Sequence, residues 1–440
     1  MTKIKDLKTR ELYKAILDEL GVIIKGTEFD YHVYTVGGCE RDMLLGLPVK
    51  DIDLVVDIPN GGIRFAKWLY ENGHLTHEPV VYENYGTAMF CLKSHPDFEL
   101  EAVQTRKESY RDMTTRNPET AFGTIMDDCM RRDFTINSLY RSITTGMLQD
   151  FTGRGLKDLD NRIIRSCDDP DIIFREDPLR ILRAIRFEAK LGTEWRIEET
   201  TRMGMISNAY RIEIVSRERI TDEFDKIIFS KGAMSGLLKL KRFGIMQFVS
   251  PELDKFDIET LASVVHGLRY TNDDKVEKLA VLFINAQNQE QALQEMKYPN
   301  HIIDDVMTVI REIPVVQSFG DNFKNIDRVA IRKQQSRVKD PKLFYHIVMA
   351  THSINNKEST IIRKNMQAIH VLSASIDEVR RHTDCFTINL PVNGDDIMDF
   401  KGIEPGPNVK LYLNSIREEY FKNPKITKEQ CFKLLDFLEF

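Results

Sequence analysis

The spacing of apolar positions divides the chain into two textures. In the first third, short β-rich runs alternate with glycine-bearing turns and helical stretches. The predicted strands cover residues 31–36, 52–56, 87–92 and 100–105, and one predicted helix covers residues 63–72. From residue 174 onward, long stretches with helical spacing replace the strand pattern. We therefore predict an α+β fold, in which an α/β head with a mixed sheet is followed by an all-α remainder.

Composition places the chain among globular proteins and excludes fibrous, collagenous and wholly disordered ones. The 440 residues are 42% hydrophobic and 30% charged. No apolar run approaches the roughly 20 residues of a membrane span, so we expect no membrane association. Residues 1–20 mix basic with acidic side chains and lack the features of a secretion signal or a transit peptide. Six widely spaced cysteines without a C-x-x-C pair indicate reduced thiols and a cytoplasmic location.

The net charge of −6 argues against a nucleic-acid partner, but its distribution argues the other way. Residues 131–219 contain fifteen Arg and two Lys. Arginine presents a planar, permanently charged fork that binds phosphate with two hydrogen bonds. Acidic residues nearly balance this stretch, so helix-surface salt bridges remain the alternative at this point.

A glycine pair and an Asp-x-Asp pattern suggest a phosphate and metal site. Gly37 and Gly38 follow a predicted strand, where backbone N–H groups can approach a triphosphate closely. Asp51 and Asp53 begin the next strand, and residues two apart on a strand point to the same side. Paired oxygen ligands of this kind suit Mg²⁺ bridging substrate phosphates. A plain turn and a solvated strand end are the alternatives.

Three later segments carry further candidate chemistry. Strand alternation places Glu99 and Glu101 on one face, where either carboxylate can join the metal site or simply protect a sheet edge. The segment 131–139 combines paired Arg residues with an Asp and an Asn, which suits phosphate and sugar binding but also an ordinary helix start. In the segment 175–187, Asp177 before a proline predicts a helix cap. The same segment repeats Arg every three residues, as a ridge that needs an anionic partner or solvent.

The order of these motifs resembles a known family, the class II CCA-adding tRNA nucleotidyltransferases and the bacterial-type poly(A) polymerases that share their catalytic head. The matching elements are Gly37-Gly38-x-x-Arg41-Asp42 with Asp51-x-Asp53, Glu101-x-x-x-Thr105-Arg106, Arg131-Arg132-Asp133-Phe134-Thr135-x-Asn137, and Glu176-Asp177-Pro178-x-Arg180-x-x-Arg183-x-x-Arg186. One departure is Glu40, in a slot that is usually apolar; we expect a solvated or pocket-rim carboxylate there.

The resemblance implies a role for each matched residue. Asp51 and Asp53 would bind Mg²⁺ and, with Glu101, form the catalytic carboxylates. Gly38 and Arg41 would contact the triphosphate, and Arg132 would contact sugar and phosphates. The remaining nucleotide-binding residues would be Asp133, Asn137, Asp177, Arg180, Arg183 and Arg186, with Asp177 and Arg180 at the Watson–Crick edge of ATP or CTP.

The resemblance also implies a nucleotidyltransferase-type head and four domains. These are an N-terminal helical extension (1–30), the catalytic head (31–150), a neck for nucleotide recognition and RNA binding (151–260), and a helical RNA-binding body and tail (261–440). The implied activity is template-independent addition of CCA to the tRNA 3′ end from CTP and ATP, with no stable protein partner. Poly(A) synthesis, CC-only or A-only addition, and a catalytically idle RNA-binding module are the alternatives.

Overall fold

A computed structural model of the chain describes residues 2–83, 86–109, 119–321, 327–337, 346–347, 350, 374, 376–379, 381 and 388–439. The chain forms two compact units, Met1–Val249 and Ser250–Phe440. The strands of the first unit are β1 (Val33–Val36), β2 (Ile52–Val56), β3 (Val80–Tyr82), β4 (Thr87–Cys91), β5 (Glu99–Gln104), β6 (Arg106–Ser109), β7 (Glu119–Phe122), β8 (Leu139–Ser142), β9 (Leu148–Asp150), β10 (Ile163–Ile164) and β11 (Arg196–Ile197). Its helices are α1 (Thr2–Ile24), α2 (Gly38–Leu44), α3 (Gly61–Glu71), α4 (Ile125–Met130), α5 (Gly155–Asp160), α6 (Pro170–Glu176), α7 (Leu179–Leu191), α8 (Glu199–Ser207), α9 (Arg217–Ile228), α10 (Ala233–Arg242) and α11 (Met246–Val249).

A seven-stranded mixed sheet organises the head, in the order β3-β4-β5-β2-β1-β8-β9. Strands β2 and β5 run parallel, and every other neighbouring pair in this sheet is antiparallel. A parallel pair needs a crossover connection, and α3 lies within this one. At Gly62 of α3, an added Cβ would come within 2.4 Å of the Ala102 carbonyl oxygen, so only glycine lets the helix approach the sheet this closely.

The core of the head forms between α1, α3 and one face of the sheet. Tyr13, Leu20, Phe29, Ile52 and Phe65 are almost completely buried in one hydrophobic cluster. The N-terminal helix therefore contributes directly to the head's core. The division of the chain into four domains stays a prediction.

The second unit is helical throughout its described residues. Its helices are α12 (Pro251–Asp254), α13 (Ile258–Gly267), α14 (Lys275–Phe283), α15 (Gln289–Glu295), α16 (Asn300–Asp321), α17 (Arg328–Gln335), α18 (Gly394–Lys401), α19 (Pro407–Lys422) and α20 (Lys428–Asp436). The last three helices share a small core that contains Ile397, Tyr412, Ile416, Cys431 and Leu435. No helix in the described ranges is both long and apolar enough to cross a membrane.

The predicted fold class is confirmed, with small shifts at element ends. The strand predicted at 31–36 begins at Val33, and the helix predicted at 63–72 runs from Gly61 to Glu71. The short parallel pair of β10 and β11 places one two-residue strand within the region predicted to be all-helical. Five cysteines are free thiols, as predicted; Cys385 lies outside the described residues.

Candidate active site

A cleft of about 770 Å³ opens in the first unit and collects most of the predicted site residues. It is lined by Gly37, Gly38, Arg41, Asp42, Leu47, Pro48, Lys50, Asp51, Asp53, Arg132, Asp133, Asn137, Arg183, Arg186, Phe187, Lys190, Lys226, Phe229, Ser230 and Lys231. Eight of these side chains are Lys or Arg and four are Asp. The cleft is therefore locally basic in a chain of net negative charge, which suits a polyanionic ligand.

The glycine turn lies directly against one of the predicted catalytic carboxylates. Gly37 has a φ of 90°, a left-handed conformation that glycine adopts without strain. A Cβ built at Gly37 would lie 3.2 Å from Oδ2 of Asp53, and one at Gly38 would lie 3.4 Å from Nη2 of Arg41. Because glycine has no side chain, Gly37 and Gly38 leave the floor of the cleft open beside Asp53.

Three predicted carboxylates gather at the start of β2 and the middle of β5. Asp53 of β2 is paired in parallel register with Glu101 of β5, and Asp51 immediately precedes β2. Burial and the negative charge of Asp51 raise the pKa of Asp53 to about 6; Glu101 adds to this, while Arg132 opposes it. Burial is also the main cause of the raised pKa of Glu101.

These carboxylates fit a divalent cation by their chemistry. They are hard oxygen ligands, and the pKa of Asp53 is raised by burial and by the charges of Asp51 and Glu101, both of which a bound cation would offset. Across the described ranges, however, no three His, Cys, Asp or Glu side chains stand close enough to form a complete metal cluster. Asp51 and Asp53, with Glu101 beside them, are the residues that would hold the ion.

A second, smaller hollow of about 240 Å³ adjoins the carboxylates. Its walls include Glu101, Arg106 and Arg131, and Asp53 and Arg132 line both this hollow and the main cleft. Asp53 therefore stands between two spaces, one with the glycine turn and one with Glu101 of β5. That is the arrangement needed where two reactants meet at one carboxylate.

Asp128 of α4 forms ion pairs with both of the paired arginines. It is not among the site residues predicted from the sequence. Its side chain is fully buried and forms ion pairs with Arg131 and, at 2.9 Å, with Arg132. The Tyr140 hydroxyl donates a third hydrogen bond, at 2.7 Å. Burial would raise the pKa of Asp128, but Arg132 and Arg131 outweigh burial and hold that pKa well below its usual range. The sequence does contain a signal for these ion pairs, because Arg131 and Arg132 lie three and four residues after Asp128, on the same side of a helix.

We expect Asp128→Asn to destabilise the fold by about 3 kcal/mol at neutral pH, because an amide cannot pair two buried guanidinium groups. The folded-state pKa of Asp128 is depressed, so its stabilisation is complete above the unfolded pKa of about 4 and is lost as pH falls through the folded value. Urea unfolding of both proteins at pH 7, 5, 4 and 3 measures this. The difference in unfolding free energy should shrink toward pH 3, and a constant difference would contradict the assignment.

A continuous chain of hydrogen bonds links the helix after the glycine turn to α7. Nη1 of Arg41 donates to Asn137 Oδ1 at 2.6 Å, and Nδ2 of Asn137 donates to Asp133 Oδ1 at 3.1 Å. Arg183 donates from Nε and Nη2 to Asp133 Oδ2, at 2.9 and 2.6 Å. Burial opposes ionisation of Asp133, but Arg183 and the Asn137 hydrogen bond hold its pKa at about 2. Four predicted nucleotide-binding residues are thus mutually fixed in one wall of the cleft.

An aromatic ring supports the basic side of this wall. The guanidinium groups of Arg41, Arg183 and Arg186 lie 5.0, 5.4 and 4.4 Å from the centre of the Phe187 ring. Arg186 also forms an ion pair with Glu223 at 3.0 Å. Cation–π contacts of this kind hold Arg side chains in place while leaving donors available to a ligand.

The three arginines of the predicted ridge on α7 do not share one environment. Arg183 and Arg186 line the cleft, whereas Arg180 is buried and is not among the lining residues. Arg180 donates to the Ile173 carbonyl at 3.3 Å and pairs with Glu176 at 3.6 Å. It lies at the junction of α6 and α7, where a helix surface position is enclosed by the preceding helix.

Asp177 also lies outside the cleft lining; the N-cap of α7 is Pro178, one residue later than predicted, and the Asp177 side chain bonds to the first residue of α7. Its Oδ1 accepts the Leu179 N–H at 3.2 Å, and its Oδ2 lies 3.5 Å from Nη2 of Arg219. Its negative charge contributes to the raised pKa of Arg183, which does line the cleft. The negative charge of Asp177 therefore acts on a residue of the cleft wall, although its side chain is bonded at the start of α7 and does not line the cleft.

The expectation for Glu40 is wrong. Its carboxylate is completely buried, not solvated or at the rim of the cleft. It points to the sheet, where Thr35 and Arg141 contact it. Arg141 lies 101 residues after Glu40 in the sequence, so the local pattern did not reveal this partner.

Family models match two parts of the chain. Residues 33–165 match the poly A polymerase head domain, and residues 195–257 match the probable RNA and SrmB-binding site of polymerase A. Relatives include the tRNA nucleotidyltransferase cca2 of Schizosaccharomyces pombe, which is 26% identical and matches over 92% of both chains. A CCA-adding enzyme of Limosilactobacillus fermentum is 35% identical over 48% of this chain and 49% of its own.

Solved structures share the fold across nearly the whole chain. The CCA-adding enzyme of Bacillus stearothermophilus in complex with CTP has a TM-score of 0.68 at 21% identity, covering 95% of this chain and 96% of that one. The Thermotoga maritima CCA-adding enzyme complexed with tRNA has a TM-score of 0.58 at 20% identity, covering 96% and 94%. The head and RNA-binding matches and the relatives named CCA-adding enzymes confirm the resemblance found in the motifs, and the solved structures show the same fold.

Proposed function

We propose that this protein adds CCA to the 3′ end of tRNA, using CTP and ATP and no nucleic-acid template. The observation that carries the proposal is the convergence on Asp53 of the glycine turn, the bonded chain from Arg41 to Arg183 in the main cleft, and Glu101 in the adjoining hollow. The names of the relatives and of the solved neighbours support the same activity. The five free thiols fit a cytoplasmic site of action.

Each part of the cleft has a role in this reaction. Backbone groups at Gly37 and Gly38, with Arg41 and Arg132, would orient the triphosphate for in-line attack on its α-phosphate. Asp51 and Asp53 would hold Mg²⁺ beside Glu101; a divalent cation there stabilises charge on the attacking and leaving oxygens. The RNA 3′-hydroxyl would approach from the second hollow, where Asp53 faces it.

The wall formed by Asp133, Asn137 and Arg183 would bind the sugar and orient the base. Asp177 and Arg180 would read the Watson–Crick edge, since a carboxylate acceptor beside guanidinium donors matches the donor and acceptor pattern of a base. In the structure, Asp177 accepts the Leu179 N–H at the start of α7, and Arg180 bonds to Ile173 and Glu176. Base reading therefore requires both side chains to turn toward the cleft.

The test uses tRNA transcripts that end before, within and after CCA, incubated with CTP and ATP and sized by gel. The proposal predicts that every incomplete transcript grows to a common CCA end and then stops. Growth beyond CCA with ATP alone would instead identify a poly(A) polymerase. Arrest after two cytidines, or extension only of transcripts that already end in CC, would identify a partial CCA-adding activity.

We expect Asp177→Ala to relax nucleotide choice more than it slows incorporation. Removing the carboxylate deletes one hydrogen bond to the base edge, so the preference for CTP over UTP should fall by about 30-fold. Misincorporation is measured by sequencing products made with CTP or UTP alone. Asp160→Ala is the matched control, because it removes an exposed carboxylate at the end of α5 that lines neither hollow. Unchanged selectivity in Asp177→Ala would contradict the base-reading role.

A further inference from the structure

A buried carboxylate anchors the helix that follows the glycine turn. Glu40 lies in the first turn of α2, next to Arg41, and both are nearly or completely inaccessible to solvent. Their side chains leave α2 in different directions. Arg41 lines the cleft, whereas Glu40 is absent from the cleft lining and contacts the sheet and α1.

Three side chains, which together present four donor groups, surround the Glu40 carboxylate. The hydroxyl groups of Tyr13 and Thr35 both donate to Oε1. Arg141 approaches with two nitrogens: Nε lies 3.0 Å from Oε2, and Nη2 lies 3.0 Å from the same oxygen. Tyr13 and Thr35 also lie within hydrogen-bond distance of each other, at 3.1 Å. Both oxygens of the carboxylate thus have donors.

These partners come from three separate elements. Thr35 of β1 and Arg141 of β8 are directly opposite each other in the antiparallel register, so their side chains share one face of the sheet. Tyr13 comes from α1, whose buried face packs in the head's core. Glu40 therefore ties α2 at once to α1, β1 and β8.

A fully buried charge is stable only when paired and hydrogen-bonded, and an apolar side chain would fill the same space with less desolvation. The ion pair instead restricts the orientation of Glu40, since the Arg fork and the two hydroxyl groups can all donate to its carboxylate in only one orientation. The restricted element is α2, which presents Gly38 and Arg41 to the cleft. A rotation of α2 would displace both.

We propose that Glu40 is a positioning residue that fixes α2 so that Gly38 and Arg41 are pre-oriented for the nucleotide triphosphate. The inference rests on the proposed function, because it assigns the triphosphate to this part of the cleft. Glu40 itself contacts no reacting atom. Its loss should weaken binding of CTP and ATP equally, since the shared triphosphate is affected and the base wall is not.

The experiment measures CTP and ATP binding to the full-length protein by titration calorimetry, without RNA and therefore without turnover. We expect Glu40→Ala to raise the Kd for both nucleotides about tenfold, and Glu40→Gln to stay within about twofold because its amide keeps hydrogen bonds to Arg141 and Thr35. Thermal unfolding of each variant sets a working temperature at which all are folded. If Glu40→Ala does not fold, Glu40→Leu replaces it with the same expectation.

Glu252→Ala is the matched control for destabilisation alone. Glu252 is also buried on a short helix, where it accepts the Gln287 N–H at 2.8 Å, and it belongs to the second unit. The Glu252→Ala substitution should lower the melting temperature and leave the Kd values for CTP and ATP unchanged. The inference is overturned if Glu40→Ala binds CTP like wild type, if Glu40→Gln is no better than Glu40→Ala, or if Glu252→Ala weakens binding equally. Absence of CTP binding by the wild type would instead refute the proposed function.

Discussion

Asp53→Asn is expected to slow nucleotide incorporation at least about 1000-fold while leaving the protein folded, because loss of a metal-binding carboxylate removes several kcal/mol of transition-state stabilisation. Asp53 borders both hollows, and burial together with the charges of Asp51 and Glu101 raises its pKa. Single-turnover incorporation of CTP into a tRNA transcript ending before CCA, with Mg²⁺, gives the rate.

Asp57→Asn provides a control from the far end of the same strand. Asp57 follows β2 and accepts a hydrogen bond from the Thr105 hydroxyl at 2.9 Å, and it lines neither hollow. It should retain activity within a few-fold of wild type. Near-normal turnover by a folded Asp53→Asn protein would refute the assignment of the metal site to this edge of the sheet.

Gly37→Ala is expected to reduce incorporation about 100-fold, because a displacement of the reacting groups by about 1 Å is enough for such a loss. The new methyl group would stand 3.2 Å from Oδ2 of Asp53, and the backbone at φ 90° disfavours any side chain. The rate of CTP addition under single-turnover conditions, with circular dichroism to confirm folding, checks this.

Gly26→Ala separates the backbone effect from the contact with Asp53. Gly26 also has a positive φ, of 75°, but an added Cβ there meets nothing within 4 Å. Both variants should lose about 1 kcal/mol of stability from backbone strain, and only Gly37→Ala should lose activity. Equal activity in the two variants would show that the space beside Asp53 is not needed for catalysis.

Periodicity in the sequence was sufficient to predict the local elements of the head. Alternation at two-residue spacing predicted β2 and β5, and by itself it placed Asp51 on the same side as Asp53 and Glu99 on the same side as Glu101. Alternation could not predict the pairing of Asp53 with Glu101. That pairing depends on β5 lying beside β2, although α3, β3 and β4 separate the two strands in the sequence. The resemblance to a family supplied that link.

Long-range contacts explain the positions that sequence reasoning misjudged. Glu40 was expected to be solvated or at the rim of the pocket, yet it is buried against Arg141, which comes from a strand 101 residues later. Arg180 shares the three-residue spacing of Arg183 and Arg186, but α6 covers it and leaves the other two in the cleft. Spacing along a helix identifies a shared face, whereas packing decides which part of that face is open.

Charge distribution gave more information than the total. The net charge of −6 suggested no affinity for nucleic acid, but eight basic side chains line the main cleft against four acidic ones. Asp51 and Asp53 lie at the metal-binding edge, whereas Asp42 and Asp133 are paired with basic side chains of the cleft. A triphosphate placed across this edge would meet cation-stabilised carboxylates at one end and basic side chains at the other.

The order of nucleotide addition tests the central claim most directly. A tRNA transcript lacking all three terminal nucleotides is incubated with wild-type protein and CTP alone, and ATP is then added. We predict a product two nucleotides longer in the first step, one further nucleotide after ATP, and no growth thereafter, because the cleft selects each nucleotide with side chains and no template. A continuous ladder with ATP, or no extension with CTP, would contradict the account.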